Sequence, residues 1–436
     1  MARAGSLIAG VAALATLAAC EAKRAQLVVT VRTDLQLPSQ VSLDGARSPA
    51  ASIDQVRVEI LGADGAVQDR RDFLLQGEPF PLSFGVAPAA NDPRVRVRVI
   101  GWRGAWASRD TPPIPSRGVS VERLVVVDAR AVVPVNVSLL GDCVGQPSDL
   151  ATLKTCGGAI DGAGGDPKLA PGSWTRATVI DCAQSAPDGA VCVPGGVSAI
   201  GDPALLTVDP DSDLVPAPPR MAALAPFWMD KLEVTVARIR TLVTQGSLGA
   251  APPPTAASAD MRCNFTPTPG AADGEPVRCV AFETAKAACA AWGAELPTVA
   301  QWEHAARNRA GTRYPWGDAP PTCCAGTLGF GLGCATGARN AGQHVTPADC
   351  DGLADVTRDG VVDLGGGVRE WVKDAPTSLD ACLPAGVLSD PVCGDASAGS
   401  TKGGSFATAL ERATASERRK VTLNVDVGFR CVRPAR

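Results

Sequence analysis

Hydrophobic and polar residues alternate along several short segments in the first third of the chain. In RVRVRVIGW, residues 94–102, valines face one side and arginines the other, which is the period-two pattern of a β-strand. The same alternation occurs in QLVVTVRT from Gln26 and in SIDQVRVEI up to Ile60, and VERLVVVDA and VVPVNVSLL follow after turns rich in Pro and Gly. Five or more short strands without helical spacing predict an antiparallel β-sandwich over residues 21–140. We expect the arginines to form its solvated outer face; a ligand-binding face is the alternative.

The pattern changes to helical spacing in the second half of the chain. PFWMDKLEV, Pro226 to Val234, predicts a strand, and Thr235 is placed to cap a helix with one apolar face. VRCVAFETAKAACAAWG predicts a second helix that ends at Gly293. Thr298, with a glutamine three residues on, has the spacing of a capping box and predicts the start of a third helix. The remaining residues to the C-terminus are dominated by loops, so we predict a loop-rich α+β domain over residues 191–436.

Residues 141–190, between these two regions, have neither pattern. Gly, Pro, Asp and Ser dominate, and Cys143, Cys156 and Cys182 are spaced among them. The segment has too few large apolar residues to bury a core of its own. We therefore predict a connector stapled by disulfides.

The first twenty residues have the features of an export signal. Arg3 supplies a positive charge, residues 6–16 form a short apolar run, and small residues precede Cys20. Leu17 to Cys20 resembles a bacterial lipobox, which implies cleavage before Cys20 and its diacylation; an ordinary signal peptide with an incidental cysteine is the alternative. No later segment has the roughly 18 uninterrupted apolar residues of a membrane helix. We predict a signal peptide over residues 1–20 and a mature lipoprotein anchored in the bacterial cell envelope, at the outer membrane or the periplasmic face.

The cysteine content agrees with an oxidising compartment. The chain has 15 cysteines, and setting Cys20 aside leaves an even number, 14. This predicts a framework of up to seven disulfides rather than a zinc site, since matched C-x-x-C pairs do not occur in the sequence. Proximity along the chain suggests four local pairs: Cys143–Cys156, Cys182–Cys192, Cys263–Cys279 and Cys382–Cys393.

Charge and histidine content narrow the functional classes. The net charge of −4 gives no basic patch, so we expect no nucleic-acid partner. Only two histidines, His304 and His344, are present. They are too few for a three-histidine metal site and argue against a Ser-His-Asp triad.

Six motifs in the second half of the chain carry a family resemblance. FWMDKLEVT, VAFETAKAACAAWGAELPTVAQWEHAAR, YPWG, DLGGGVREW, KGGSF and GFRCV occur in the order seen in the formylglycine-generating enzyme (sulfatase-modifying factor) family. The resemblance extends over about Cys192 to Arg436. It implies an α+β, C-type-lectin-like fold with little regular secondary structure and many loops. It also implies a disulfide between Cys289 and Cys431.

The residues that make this family catalytic are not matched. The resemblance implies that enzyme-forming members oxidise a cysteine of a sulfatase through copper(I) held by two thiolates, and Thr408 and Ala413 occupy the two corresponding positions. No cysteine occurs between Cys393 and Cys431, so the conclusion does not depend on the alignment register. Copper(I) is soft and binds thiolates, so we expect neither a copper site nor the formylglycine-generating reaction.

The second enzymatic branch of this family resembles sulfoxide synthases that bind iron through three histidines on an additional helical domain. This chain lacks that domain, so we do not expect iron. His304 lies beside two alanines in a predicted helix, and we interpret it as a packed structural histidine. A weaker iron site formed by His304, His344 and one carboxylate is the alternative.

The calcium site is the one metal site of the family whose ligand positions this chain matches in part. The resemblance implies ligands at Asp363, Gly366, Val368 and Glu370, in DLGGGVREW. Carboxylate and carbonyl oxygens suit Ca²⁺. However, Gly367 and Arg369 replace the usual Asn and Trp of the motif. The alternative is that Glu370 pairs with a nearby arginine.

Together these observations predict a cell-envelope lipoprotein whose family-like domain is a non-catalytic binding or scaffold module. Its expected partner is an envelope protein, a peptide or a glycan, with membrane contact through the lipid alone. One alternative is a metal-dependent oxidoreductase of the same superfamily with an altered site that uses carboxylates with His304 or His344. A purely structural envelope protein is the other.

Overall fold

The computed structural model describes most of the chain outside the N-terminal leader and several loops. The described residues are 24–38, 52–76, 80–209, 212–249, 251–252, 263–309, 311–322, 340–342, 354–394, 398–409, 412–421 and 426–435. Cys20 and residues 1–23 lie outside them, as does His344. Within the described residues, no helix has the length and apolar character needed to cross a membrane.

Two sheets form the N-terminal sandwich, one of three strands in the order β4-β1-β7 and one of four in the order β3-β2-β5-β6. The strands are β1 (Gln26–Thr33), β2 (Gln55–Leu61), β3 (Val67–Leu74), β4 (Leu82–Val86), β5 (Arg94–Trp102), β6 (Val121–Asp128) and β7 (Val132–Leu139). All neighbouring strands are antiparallel except β1 and β7, which run parallel with Gln26 opposite Val132. The predicted sandwich is therefore present, with one parallel pair.

The alternation in β5 places its valines in the core and its arginines outside. Val97 and Val99 are fully buried among the inward-facing side chains of the sandwich. On the other face, Arg98 lies opposite Glu59 of β2 and their nearest nitrogen and oxygen are 2.6 Å apart. Arg96 pairs with Asp92. The arginines thus face outward, as expected from the sequence, but Arg96 and Arg98 are half-buried and ion-paired rather than fully solvated.

The second half of the chain is α+β, with short strands and four helices among the described residues. Its helices are α1 (Val236–Thr244), α2 (Phe282–Ala291), α3 (Val299–Ala306) and α4 (Leu379–Cys382). Its strands are β8 (Ala190–Val193), β9 (Gly196–Ile200), β10 (Arg220–Leu224), β11 (Phe227–Asp230), β12 (Arg369–Val372), β13 (Val387–Ser389), β14 (Ser400–Lys402), β15 (Arg418–Arg419), β16 (Val427–Gly428) and β17 (Val432–Pro434). They form three small sheets, ordered β13-β10-β9, β17-β11-β8 and β15-β14-β12-β16. Loops join most of these elements, which confirms the predicted fold class.

The helix starts follow the predicted capping residues. The Thr235 hydroxyl accepts a hydrogen bond from the Arg238 backbone N–H at 3.3 Å and begins α1. At the start of α3, Thr298 accepts from the backbone of Gln301, whose side chain accepts from the Thr298 backbone, both at 3.0 Å. These reciprocal bonds satisfy amide donors that have no partner within the helix.

The connector packs onto the sandwich and contains two short 3-10 helices, Gly141–Cys143 and Thr175–Ala177. Trp174 is 3% exposed and belongs to the sandwich core cluster, which also includes Met221 of β10. Its indole N–H donates to Asp142 at 3.0 Å. The core of the sandwich therefore continues through the connector to the second region.

Five disulfides join described residues: Cys143–Cys156, Cys182–Cys192, Cys263–Cys279, Cys289–Cys431 and Cys382–Cys393. Four of them are the local pairs suggested by proximity in the sequence. The fifth, Cys289–Cys431, spans 142 residues and ties α2 to the C-terminal segment. Cys323, Cys324, Cys334 and Cys350 lie outside the described residues.

Candidate functional site

Thr408 and Ala413, the two positions that correspond to the family's copper-binding cysteines, lie on the loop that follows β14. Thr408 is half-buried and Ala413 is buried. The Thr408 backbone N–H donates to the Ser405 carbonyl at 2.8 Å, and the Thr408 hydroxyl oxygen accepts from the Ser405 N–H at 2.8 Å. These bonds close a tight turn directly after the Gly-Gly-Ser segment.

The hydroxyl of Ser405 connects this turn to a carboxylate. It donates to Asp426 at 2.6 Å and lies 3.1 Å from the Thr408 hydroxyl. Since the one Ser405 proton goes to Asp426, the Thr408 hydroxyl is the donor to Ser405. The loop thus presents hydroxyl groups and a methyl group where the family resemblance expects two thiolates.

Three arginines and three carboxylates surround the loop; we refer to Arg369, Arg412, Arg419, Asp213, Glu417 and Asp426 as the ion-pair cluster. Arg369, which replaces the tryptophan of the family motif, donates to both oxygens of Asp426, at 3.1 and 2.7 Å.

Asp213 joins the arginines of the ion-pair cluster to one another. Its carboxylate lies 2.6 Å from Arg419, 3.6 Å from Arg369 and 3.8 Å from Arg412. Glu417 pairs with Arg419 and lies 4.0 Å from Arg412. The cluster is balanced, with as many arginines as carboxylates.

The electrostatics of the ion-pair cluster follow from burial and pairing. Burial acts to raise the pKa of Asp213, but the hydrogen bond from Arg419 and the charges of Arg419, Arg369 and Arg412 lower it overall. Burial raises the pKa of Glu417 in spite of its two arginine neighbours. The side chains of the ion-pair cluster pair with one another. They place carboxylate oxygens and guanidinium nitrogens around the loop rather than soft sulfur ligands. The arrangement does not suit copper(I), which prefers soft thiolate or thioether ligands.

Sequence reasoning identified Arg369, Thr408 and Ala413 but missed the carboxylates of the ion-pair cluster. Asp213 lies in an irregular segment between β9 and β10, where no periodicity marks it. The arginine-rich run ERATASERRK could have indicated that counter-charges gather near this loop.

The four residues expected to bind calcium lie in the buried loop before and within β12. Glu370 does not suit this role, because both of its oxygens accept hydrogen bonds from Arg430, at 2.6 to 2.9 Å, and one also accepts from the Trp302 indole at 2.7 Å. Arg430 and Glu370 are almost completely buried. The alternative to calcium binding, an ion pair between Glu370 and a nearby arginine, is thus present in the structure.

Other buried carboxylates near this loop were not identified from the sequence. Burial, followed by the nearby charge of Asp363, raises the pKa of both Glu233 and Asp355 well above their ordinary values. One oxygen of Glu233 accepts from the Val368 N–H at 2.9 Å, while the other has no hydrogen-bond partner among the described residues. The negative charge of Asp363 repels those of Glu233 and Asp355, and a bound cation would reduce this repulsion. Asp363 therefore suits calcium better than Glu370 does. No group of three or more His, Cys, Asp or Glu side chains is arranged around a metal position in the described chain, and calcium binding stays a prediction.

His304 is fully buried in α3. Its Nε2 lies 2.9 Å from the Pro194 carbonyl oxygen, and its Nδ1 has no hydrogen-bond partner among the described residues. Burial lowers the pKa of His304 to about 4. This environment is that of a neutral packed histidine that donates from Nε2 to Pro194.

Comparison with known proteins identifies one family. A family model described as "Sulfatase-modifying factor enzyme 1-like domain" matches residues 176–435. Similar solved structures include Treponema denticola variable protein 1, at 17% identity and a TM-score of 0.37, covering 56% of this chain and 96% of that chain. CarF is similar at 17% identity and a TM-score of 0.35, covering 57% of this chain and 98% of that chain. Neither likeness is strong enough to carry an inference about function, and no curated protein matches.

Proposed function

Because this chain belongs to the family of sulfatase-modifying factor enzyme 1-like domains, we propose that its family domain is a non-catalytic binding or scaffold module. The whole protein is then a lipoprotein of the bacterial cell envelope, anchored through Cys20. The observation that carries the proposal is the replacement of both copper-ligand positions by Thr408 and Ala413.

The structure around these positions supports the absence of the copper reaction. Thr408 is hydrogen-bonded within its turn, and Ala413 has no ligand atom in its side chain. The neighbouring arginines and carboxylates pair with one another rather than leaving open coordination positions. A thiolate does not reach the loop from elsewhere in the described chain, because every described cysteine is in a disulfide.

The cysteine pairing and the N-terminal sequence support the envelope location. Disulfides persist in oxidising compartments such as the bacterial periplasm. The lipobox-like residues Leu17 to Cys20 agree with this location. An envelope protein, a peptide or a glycan is the proposed partner, and a rigid, disulfide-stapled domain with many loops suits such recognition.

The test of the non-catalytic half of the proposal is a competitive copper(I) titration of the mature protein, combined with mass spectrometry of a cysteine peptide incubated with it in air. We expect no stoichiometric copper binding and no conversion of the peptide cysteine. The double variant T408C/A413C is the matched control, because it restores the two thiols and should gain copper(I) affinity. Conversion of the peptide by the unaltered protein would overturn the proposal.

The binding half needs a separate measurement. Labelled protein lacking the lipid should bind isolated cell envelopes saturably, and unlabelled protein should displace it. The T408C/A413C variant should bind equally well, since the proposed partner does not use copper chemistry. Binding that rises linearly without saturation would contradict the proposed module.

A further inference from the structure

A cavity of about 450 Å³ lies between the sandwich and the family domain. The loop after β5 lines one side, from Arg103 to Asp110, and the family domain lines the other through Asp202, Arg307 and Arg313. The volume lies in the range of pockets that bind small molecules. Because the sandwich forms one wall, this cavity is not a feature of the family domain alone.

The two sides of the cavity approach closely at Gly311. Its φ of +74° favours glycine, and a side chain there would meet the Arg103 guanidinium and the Trp106 ring of the sandwich. The Arg307 guanidinium donates to the Gly311 carbonyl at 3.4 Å and to the Gly201 carbonyl at 2.7 Å. Guanidinium groups from both sides therefore meet at this wall.

Behind the cavity lining, which includes Arg307 and Ser416, three buried cations, Lys402, Arg307 and Arg418, lie near two buried carboxylates, Glu303 and Asp374. Lys402 and Arg307 share the single carboxylate of Glu303, at 2.7 and 3.4 Å. The Arg307 Nε has no hydrogen-bond partner among the described residues, and the same is true of the Arg418 Nε and Nη1. Burial of Lys402, together with the positive charges of Arg418 and Arg307, lowers the pKa of Lys402 to about 8 in spite of Glu303. An anion in the cavity would therefore be stabilised by these buried cations.

Three carboxylates and four arginines line the cavity, and two of the carboxylates accept hydrogen bonds from neutral groups, which leave their negative charge in place. Asp202 accepts from the Ala204 N–H at 2.8 Å and from the Ser416 hydroxyl at 3.0 Å. Asp318 accepts from the Arg313 N–H at 2.8 Å. Asp110, on the rim, is exposed to solvent. These contacts hold the lining loops in place.

Two arginines on the rim keep their charged groups available. Arg109, from the sandwich, and Arg313, from the family domain, are exposed and form no ion pair with any described residue. The Arg313 guanidinium lies 5.6 Å from the centre of the Tyr314 ring, which holds it over the aromatic face. The planar guanidinium fork matches carboxylate and phosphate oxygens.

We propose that this interdomain cavity binds a small oxyanion ligand, a carboxylate or a phosphate, through Arg109 and Arg313, with Arg307 supplying buried positive charge. The site requires both regions of the chain, because one of the two rim arginines comes from the sandwich and the other from the family domain. The assignment holds whether or not the family domain is catalytic, and it does not involve Thr408 or Ala413.

Isothermal titration of the mature protein with inorganic phosphate, and separately with succinate, tests the site. Sodium chloride at matched ionic strength controls for screening. We expect saturable binding of one of the two anions, and the anion that binds identifies the ligand class. R109Q and R313Q should each weaken that binding about tenfold, as expected for loss of a charged hydrogen bond.

R130Q is the matched control variant, because Arg130 is an exposed arginine of the sandwich that pairs with Asp128 and does not line the cavity. It should bind the anion as the unaltered protein does. Both rim arginines are exposed, so their variants should also keep the thermal unfolding midpoint of the unaltered protein. Absence of saturable binding of either anion at millimolar concentration, or equal weakening by R130Q, would overturn the proposal.

Discussion

The ammonium group of Lys402 lies 2.7 Å from a carboxylate oxygen of Glu303, and both side chains are fully buried. The other Glu303 oxygen accepts from the Gly201 N–H at 2.8 Å and faces Arg307. One carboxylate therefore joins α3, β14 and the loop after β9 in the centre of the family domain. Removing one member of such a buried network leaves unpaired charges in a medium that solvates them poorly.

Glu303→Gln should lower the free energy of unfolding by about 3–5 kcal/mol, because Lys402 and Arg307 lose their shared counter-charge. The measurement is urea denaturation followed by tryptophan fluorescence. Glu295→Gln is the matched control: its carboxylate is 64% exposed and pairs with Lys373 at 2.6 Å on the surface, so about 1 kcal/mol or less should be lost. Equal effects of the two variants would contradict the assigned role of Glu303.

His304 should make the fold sensitive to acid. The pKa of His304 is about 4 in the folded protein, against an ordinary value of 6.5 that applies to the unfolded chain. Between pH 6.5 and pH 4 the unfolded chain therefore binds a proton that the folded chain does not. Stability is lost as the pH falls from 6.5 through 4, by about 3 kcal/mol in total at 1.36 kcal/mol per pKa unit.

His304→Gln removes this titration and keeps a donor for the Pro194 carbonyl. The difference in unfolding free energy between the unaltered protein and His304→Gln should therefore shrink between pH 7 and pH 4. Urea midpoints measured at pH 7, 5.5 and 4 check this. Parallel pH profiles for the two proteins would show that His304 does not titrate in this window.

The Cys289–Cys431 disulfide should stabilise the fold more than a local one. It spans 142 residues, whereas Cys182–Cys192 spans 10. In the chain-entropy treatment these loops correspond to about 5 and about 3 kcal/mol. The double variants C289A/C431A and C182A/C192A, compared by urea denaturation, test the order. A larger loss in C182A/C192A would contradict it.

Calcium should raise the thermal unfolding midpoint of the mature protein, and chelation with EDTA should reverse the change. Asp363→Ala should abolish this response, because Asp363 adds negative charge to the buried carboxylates Glu233 and Asp355. Glu370→Gln is the informative comparison: it should lower the midpoint by disrupting the pair with Arg430 but keep the response to calcium. A midpoint that is indifferent to calcium in all three proteins would reject the calcium site.

The number of free thiols distinguishes a protein whose cysteines are all in disulfides from one that keeps thiolates able to bind a metal. Alkylation of the non-reduced mature protein, followed by intact mass measurement, should label no cysteine. The five disulfides among the described residues account for ten of the cysteines. Two labelled cysteines would reopen a metal-thiolate site, and peptide mapping would identify them.

The sequence by itself determined the local elements and the family. The valine alternation in residues 94–102 depends only on which side chains avoid water, so it identified a strand and its buried face. The capping box at Thr298 is likewise a local hydrogen-bond pattern. The order of the six motifs identified the family domain, because their spacing reflects one fold.

Only the tertiary structure decided which charges meet. Asp213, Asp426 and Arg369 are far apart in sequence and meet because loops between β9 and β10 and before β16 return to β12. The parallel pairing of β1 with β7 and the arginine-lined cavity between sandwich and family domain depend in the same way on long-range packing. The path of a loop has no periodicity along the chain, so the sequence supplied the charged residues and the fold selected their partners.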